Sequence, residues 1–355
     1  MNYNLEIQKI LLKVNKLDRV EDKITLLKEA VKIADINNDV NWGVDLRLDL
    51  LHNEIDTSGS HESFPAFVWI LNAYDNNPDM FDESEFLWEY KWMADESISS
   101  CNISLEQLDL ILEDFRKRLN RNGYSDRAYY SVEIFKHTFM CDWEKARLSI
   151  ENRDKSPRDR MSDNEAWEQN TRVLLPLKEG NFDDAIFKAQ DILSGKLISH
   201  GLPFATLSCL CYYLSKANDS RAKEYTHLAE KEMSGDYINS AFICNVAQVI
   251  FSLYVNGEKE KAWQYFEQSA EWILQATDFL RFDYIAFIMP LIMEKGQRTL
   301  NISHKLPYYR TDNVYQIQSL YDYYYPIALE SAERFDKRNR NTVFSERLKT
   351  HMKYN

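Results

Sequence analysis

Glycine and proline are scarce, at nine and eight in 355 residues, against the ~7% and ~5% of an average domain. Sheets need tight turns built on glycine and Asn-Gly pairs, so the shortage excludes a hairpin-rich β fold. It leaves helices joined by short polar loops. Long apolar runs are missing too, and none approaches the ~18 residues of a membrane span. Met1 to Leu17 reads as an amphipathic polar helix rather than a charged-then-apolar leader. The five cysteines (Cys101, Cys141, Cys209, Cys211 and Cys244) are odd in number and lie mostly in helical stretches. That usage predicts buried thiols in a reducing cytoplasm rather than a disulfide framework.

Recognisable chemistry is equally sparse. The sequence contains no G-x-S-x-G, G-x-x-x-x-G-K-[ST] or G-x-G-x-x-G, so nucleophile elbows and phosphate cradles have no glycines to stand on. Seven histidines (His52, His61, His137, His200, His227, His304 and His351) form no H-x-x-x-H or H-E-x-x-H pair. Cys209 and Cys211, two apart, face different sides of a helix and cannot share a metal. The expectation is a chain with no catalytic residues, no cofactor and no metal.

Charge is uneven. Of the net −13, residues 1–100 carry −11, with 20 Asp or Glu against 9 Lys or Arg. Such a surface repels nucleic acid and anionic membrane, which bind through phosphate neutralisation; it is either a solvated acidic face or an attractor for a basic partner. Arg116, Lys117, Arg118, Arg121 and Arg127 form a basic cluster around Asn122-Gly123. This cluster is either a solvated helix end or, with Tyr129 and Tyr130, a contact for an acidic partner.

A short turn recurs four times: Cys141–Ala146, Gly180–Ala185, Ala217–Ala222 and Gly257–Ala262, with closing alanines 39, 37 and 40 residues apart. A turn followed by a small residue at fixed offset marks a helical hairpin, and its repetition marks a stacked array. Periodicity of 3.6 predicts further helices upstream. Ile24, Leu27, Ala30, Val31 and Ala34 form one stripe, Asp39–Ile55 another helix, and Phe64–Tyr74 with Phe81–Ala94 a pair. Asp56 to His61 reads as a loop, and Ser104 with Gln107 as a capping box opening Leu105–Leu119. Downstream, Gly296–Thr311 reads as a polar loop. Val314–Asp336 reads as a helix bent or split at Pro326, followed by a basic tail.

Gly180, Phe182 and Ala185, and Gly257, Ala262 and Phe266, stand at the turn, small and aromatic positions of a tetratricopeptide repeat. Over residues 126–275 the chain resembles the tetratricopeptide-repeat (TPR) family. The spacing exceeds 34 residues, and Pro176 replaces an expected aromatic. Pro157–Asp163 and Phe335–Asn339 resemble segments of a group of bacterial TPR-like proteins. In that group the first segment leads into a Cys-x-x-Cys pair; Asn164 and Trp167 stand there in this chain, so no metal or redox role carries over. The resemblance implies an all-α, TPR-like α-solenoid of antiparallel helical hairpins, acidic and cytoplasmic. Residues 1–125 form irregular N-terminal helices, 126–275 four hairpins, and 276–355 a C-terminal capping helix with a basic tail.

TPR arrays bind partners on the concave face of each first helix. Counting back from the alanines, that face holds Trp167, Asn170, Leu174 and Leu177, then Phe204, Leu207, Cys211 and Leu214, then Cys244, Ala247, Phe251 and Tyr254. Ala128, Ser131, Phe135 and Thr138 precede them. The surface is apolar, so either the chain fills its own groove or the groove takes a protein or peptide. Trp167, Asn170, Phe204, Leu207, Phe251 and Tyr254 are the candidate partner-binding residues. The expected role is a non-enzymatic scaffold or regulator with a protein or peptide partner. The alternative is a peptide-sensing receptor resembling TPR pheromone receptors and acting on a protein target.

Overall fold

The computed structural model describes residues 2–55, 57–233 and 239–354. It is all-helical apart from one short strand pair. The amino-terminal helices are α1 (Tyr3–Val14), α2 (Val20–Ile36), α3 (Val40–Glu54), α4 (Ser63–Asn76), α5 (Leu87–Ser99) and α6 (Leu105–Arg121). Asp39 caps α3 through the Trp42 amide, and Ser104 with Gln107 makes the expected capping box on α6. Asp56, in the expected loop, lies outside the described residues.

Four helix pairs follow. They are α7 (Arg127–Phe139) with α8 (Trp143–Lys155), α9 (Glu165–Glu179) with α10 (Phe182–Leu193), α11 (Phe204–Lys216) with α12 (Ala222–Met233), and α13 (Ile243–Val255) with α14 (Lys259–Ser269). Each pair packs on itself, and α9, α11 and α13 pack side by side. Ala146, Ala185, Ala222 and Ala262 are all buried, as close helix crossing requires.

The turns correct the repeat register. Each contains one residue with left-handed backbone, at Cys141 (φ 56°), Gly180 (φ 76°), Asn218 (φ 55°) and Gly257 (φ 88°). Those positions are spaced 39, 38 and 39 residues, more evenly than the alanines. In the third turn the left-handed residue is Asn218, one place later than Ala217, because Asn tolerates that conformation and Ala does not. Inner-face positions counted from Ala222 are therefore displaced by one.

The carboxyl-terminal part comprises α15 (Asp278–Ile292), strands β1 (Gln297–Thr299) and β2 (Val314–Gln316), α16 (Ile317–Asn339) and α17 (Val343–His351). Helix α15 is buried on every side from Phe282 to Ile292 and sits in the core against α13, α16 and α17. The segment expected as a polar loop is closed at its base by the antiparallel β1–β2 ladder. Pro326 leaves α16 unsplit: it is exposed, as is Asp322 four residues earlier, so the bond that proline removes lies on the solvent side of the helix. The basic tail is a docked helix, reached through left-handed Arg340 (φ 57°). No helix among the described residues is long and apolar enough to cross a membrane.

The two ends of the chain meet. Arg338 on α16 donates to the carbonyls of Ile98 (2.8 Å) and Ser100 (3.0 Å) at the end of α5, and Arg334 donates to Asn102 (2.8 Å). Ser58 donates to the Trp272 carbonyl (3.0 Å) and accepts from the Thr277 amide through its own carbonyl (2.9 Å). These contacts join the amino-terminal helices to the carboxyl-terminal part of the chain.

Candidate functional site: the inner cavity and the seam

Counted from the left-handed turn residues, the position six places earlier holds Phe135, Leu174, Tyr212 and Phe251. The position two places earlier holds Phe139, Lys178, Lys216 and Val255. These two columns run along the inside of α7, α9, α11 and α13. Helix α17 lies across them. At its far end His351 sits 5.2 Å from both the Phe251 and Phe287 rings and stacks on Tyr212 at 5.7 Å, and Tyr354 covers Phe251 at 5.2 Å. Tyr354 Oη also donates to the Lys216 carbonyl (2.7 Å).

A cavity of about 410 Å³ remains between the columns and α17. Phe135, Phe139, Leu174, Tyr212, Tyr213, Phe279, Phe287 and Phe344 give it a mostly aromatic lining, and Lys178, Lys216, Arg347, Asp283 and Glu346 supply charge. Arg347 Nη1 lies 2.8 Å from Asp283 Oδ1, pinning α17 to α15. The contact has ion-pair distance without hydrogen-bond alignment, and Oδ1 is otherwise unpartnered. Burial raises the Asp283 pKa above the usual carboxylate range, and Arg347 opposes that rise. The 28% of the Arg347 side chain that stays exposed faces this cavity.

His351 is held neutral. Burial, then Arg347, brings its pKa down to about 3. Nδ1 lies 2.9 Å from the Arg347 carbonyl, which can only accept, so Nδ1 carries the proton and Nε2 accepts from Tyr212 Oη at 3.0 Å. Both nitrogens are thus committed to holding the cap.

None of the six candidate partner-binding residues lines this cavity. Phe204 and Leu207, in the hairpin whose register is displaced by one, are fully buried between helices; Tyr212 stands where Cys211 was expected. Trp167 packs beside Gly201 and Leu202 of the following hairpin, and Asn170 accepts from Thr206 Oγ1 at 2.7 Å. Phe251 is on the inner column but beneath His351 and Tyr354. Tyr254 is buried under Lys259, whose Nζ lies 4.7 Å above its ring. Leu174, Phe135 and Thr138 do reach the cavity.

The basic cluster is divided: Lys117 is solvated, 70% exposed and paired with Glu113 on its own helix, while the arginines are engaged by carboxylates. Arg118 is buried and donates to Asp75 (2.9 Å), Glu83 (2.8 Å) and Asp114 (2.7 Å), and Arg121 also pairs with Glu83. Arg116 pairs with Asp126 (2.5 Å), and Arg127 with Glu168 through two bonds of 2.8 and 2.6 Å.

A second region, the seam between α3, α5 and α15, carries buried carboxylates. Glu54 accepts from the Ser63 amide (2.6 Å) and hydroxyl (2.5 Å) and from the Glu62 amide (3.2 Å), while Glu96 accepts from Ser60 Oγ (2.9 Å). Asp95 lines a pocket of about 180 Å³ here, its Oδ1 is buried without a partner, and burial lifts its pKa to about 7 against the pull of Lys91. Cys101 donates to Asp278 (2.9 Å), and burial with that carboxylate pushes its thiol up to about 12.

Elsewhere His227, Glu230 and Glu258 bring three ligand atoms within 4.8 Å of one another on the surface. Lys261 already bridges the two carboxylates at 2.8 and 3.1 Å, supplying the cation that such a group requires. Comparison with protein-family models, with curated proteins and with solved structures returns no match for this chain.

Proposed function

We propose that this chain is a TPR-like α-solenoid and a non-enzymatic, cytoplasmic interaction protein that takes its ligand, a short peptide or smaller molecule, in the inner cavity. The observation that carries this reading is the joint lining: residues from α7, α9, α11, α13 and α15 on one side and from α17 on the other enclose a single space of about 410 Å³. That size falls within the ~300–1,000 Å³ of small-ligand sites, and the aromatic lining with a few converging charges has their composition. An occupant would touch α17 directly, so ligand affinity and α17 docking are linked by necessity, and α17 becomes the element through which occupancy reaches a protein target.

Native mass spectrometry of the protein from its own cells, beside a Leu174→Trp variant that fills the cavity, tests this. The expected result is a small bound species on the wild type that is lost from the variant. Equal loading of both, or of neither, counts against the cavity.

A second reading is favoured by the aromatic column beneath the cap. Phe251, Tyr212 and Phe287 would accept an amphipathic helix of a partner protein if α17 left its place, as a scaffold role requires. Removing residues 341–355 should then create binding that the full chain lacks.

A further inference from the structure

Lys178 and Lys216 occupy the same place in successive hairpins, two residues before the left-handed turn, and both line the mouth of the inner cavity. Register therefore brings the two lysines to equivalent positions on the cavity lining. Each lies over an aromatic face rather than beside a carboxylate: Lys178 Nζ is 5.1 Å from the Trp143 centroid and Lys216 Nζ 5.7 Å from that of Tyr212. Among the described residues neither is ion-paired, whereas Arg347 across the cavity has Asp283. Lys216 is half-buried, and its pKa is lowered by burial, then by Lys178 and then by Arg347. The last-turn position of each lysine lets the helix dipole offset part of that strain. Of the two carboxylates in the lining, Asp283 is taken by Arg347 and Glu346 accepts from Thr342, so neither is paired with these lysines.

Resting on the cavity as the ligand site, we propose that its ligand is a small amphipathic anion. The acidic head group sits between Lys178 and Lys216, where it replaces the missing counter-charge. A flat apolar body lies against Leu174, Tyr213 and Phe287, which face the same space. Such a molecule uses both halves of the lining, whereas a neutral apolar ligand leaves the ammonium groups unpaired.

Two dyes of nearly the same shape test the assignment on the full chain: 8-anilinonaphthalene-1-sulfonate, an aromatic anion, and N-phenyl-1-naphthylamine, which lacks the sulfonate. Fluorescence titration should show one anionic dye per chain, bound about tenfold tighter than the neutral one, the factor a charge-assisted hydrogen bond confers. Lys216→Met should remove about that factor for the anion. Lys178→Glu, on an exposed side chain and harmless to folding, should remove more, and neither should alter the neutral dye. Unchanged far-UV helicity separates these losses from unfolding. Equal binding of the two dyes, or lysine variants without effect while Leu174→Trp still excludes both dyes, overturns the anion assignment and leaves the cavity reading standing. If neither dye binds, or Leu174→Trp displaces neither, the cavity is not a ligand site and both readings fall.

Discussion

The inner cavity and the seam are both places where charge meets aromatic packing, and they treat that charge in opposite ways. At the seam two of the three buried acids are provided for: Glu54 and Glu96 collect backbone and hydroxyl donors from residues 60–63, and only Asp95 keeps an unpartnered Oδ1. In the cavity, Lys178 and Lys216 have rings beneath them and no counter-ion. A buried charge satisfied by its own chain is a structural device, because removing its partners is costly and nothing is left to recognise. A charge left short of partners in an open space is available to a ligand. The seam holds distant parts of the chain together, and the cavity is where the proposed ligand would find charge left to pair.

Breaking each region at its anchor should give the largest effects. Phe344, 2% exposed, stacks on Phe335 at 4.6 Å and meets Phe139 and Phe282 at 5.1 Å. Phe344→Ala should cost about 3–5 kcal/mol in urea unfolding, the usual loss for a buried phenylalanine. Loss below about 1 kcal/mol would mean that α17 is only loosely docked. Glu54→Gln places an amide NH₂ among three donors at the seam and should cost about 2–3 kcal/mol.

The same two regions should respond to pH with opposite sign. Folded His351 refuses a proton until about pH 3, while the unfolded imidazole takes it near 6.5. The unfolded state thus holds more protons between those values, and stability rises with pH there, by at most about 1.4 kcal/mol per unit. Folded Asp95 keeps its proton up to about pH 7, while the unfolded carboxyl releases it near 3.9. Stability therefore falls as pH rises across that window, more gently because the residue keeps some exposed surface. Between pH 4.5 and 6.5, His351→Gln should unmask the falling slope and Asp95→Asn should steepen the rising one. Parallel slopes in the two variants would show that one of these groups is hydrated as in the unfolded chain.

Much of the helical content was legible because it rests on local rules. The capping box at Ser104 and Gln107, the stripe of α2 and the four turns need only nearby residues. What stayed hidden depends on closure. Glu54, Asp95 and Glu96 read as ordinary surface acids until Ser58 meets Trp272 and the seam forms. Helix α17 carries its signal in Phe344, Leu348 and His351, spaced four and three apart, yet a short basic segment at a chain end gives little sign of the surface it will cover. The lysine column becomes visible only when the hairpins are aligned on left-handed residues, and Asn218 conceals that alignment by standing one place after the expected turn.

That alignment has its own test, the smallest in magnitude and the sharpest in logic. If Cys141, Gly180, Asn218 and Gly257 are equivalent, the non-glycine members carry a backbone cost that glycine removes. Gly180→Ala adds a methyl group that meets nothing within 4 Å, so its cost of about 1 kcal/mol would be purely conformational. Cys141→Gly should run the other way and raise stability by about 0.5–1 kcal/mol, the relief of the left-handed backbone outweighing the added chain entropy and the lost thiol contact. Ala217→Gly, one place before the left-handed residue, should lower stability slightly, because it adds chain entropy where the backbone needs no relief. An increase at 217 in thermal unfolding would restore the alanine-based register, moving the inner column from Tyr212 back to Cys211 and taking with it the equivalence of Lys178 and Lys216.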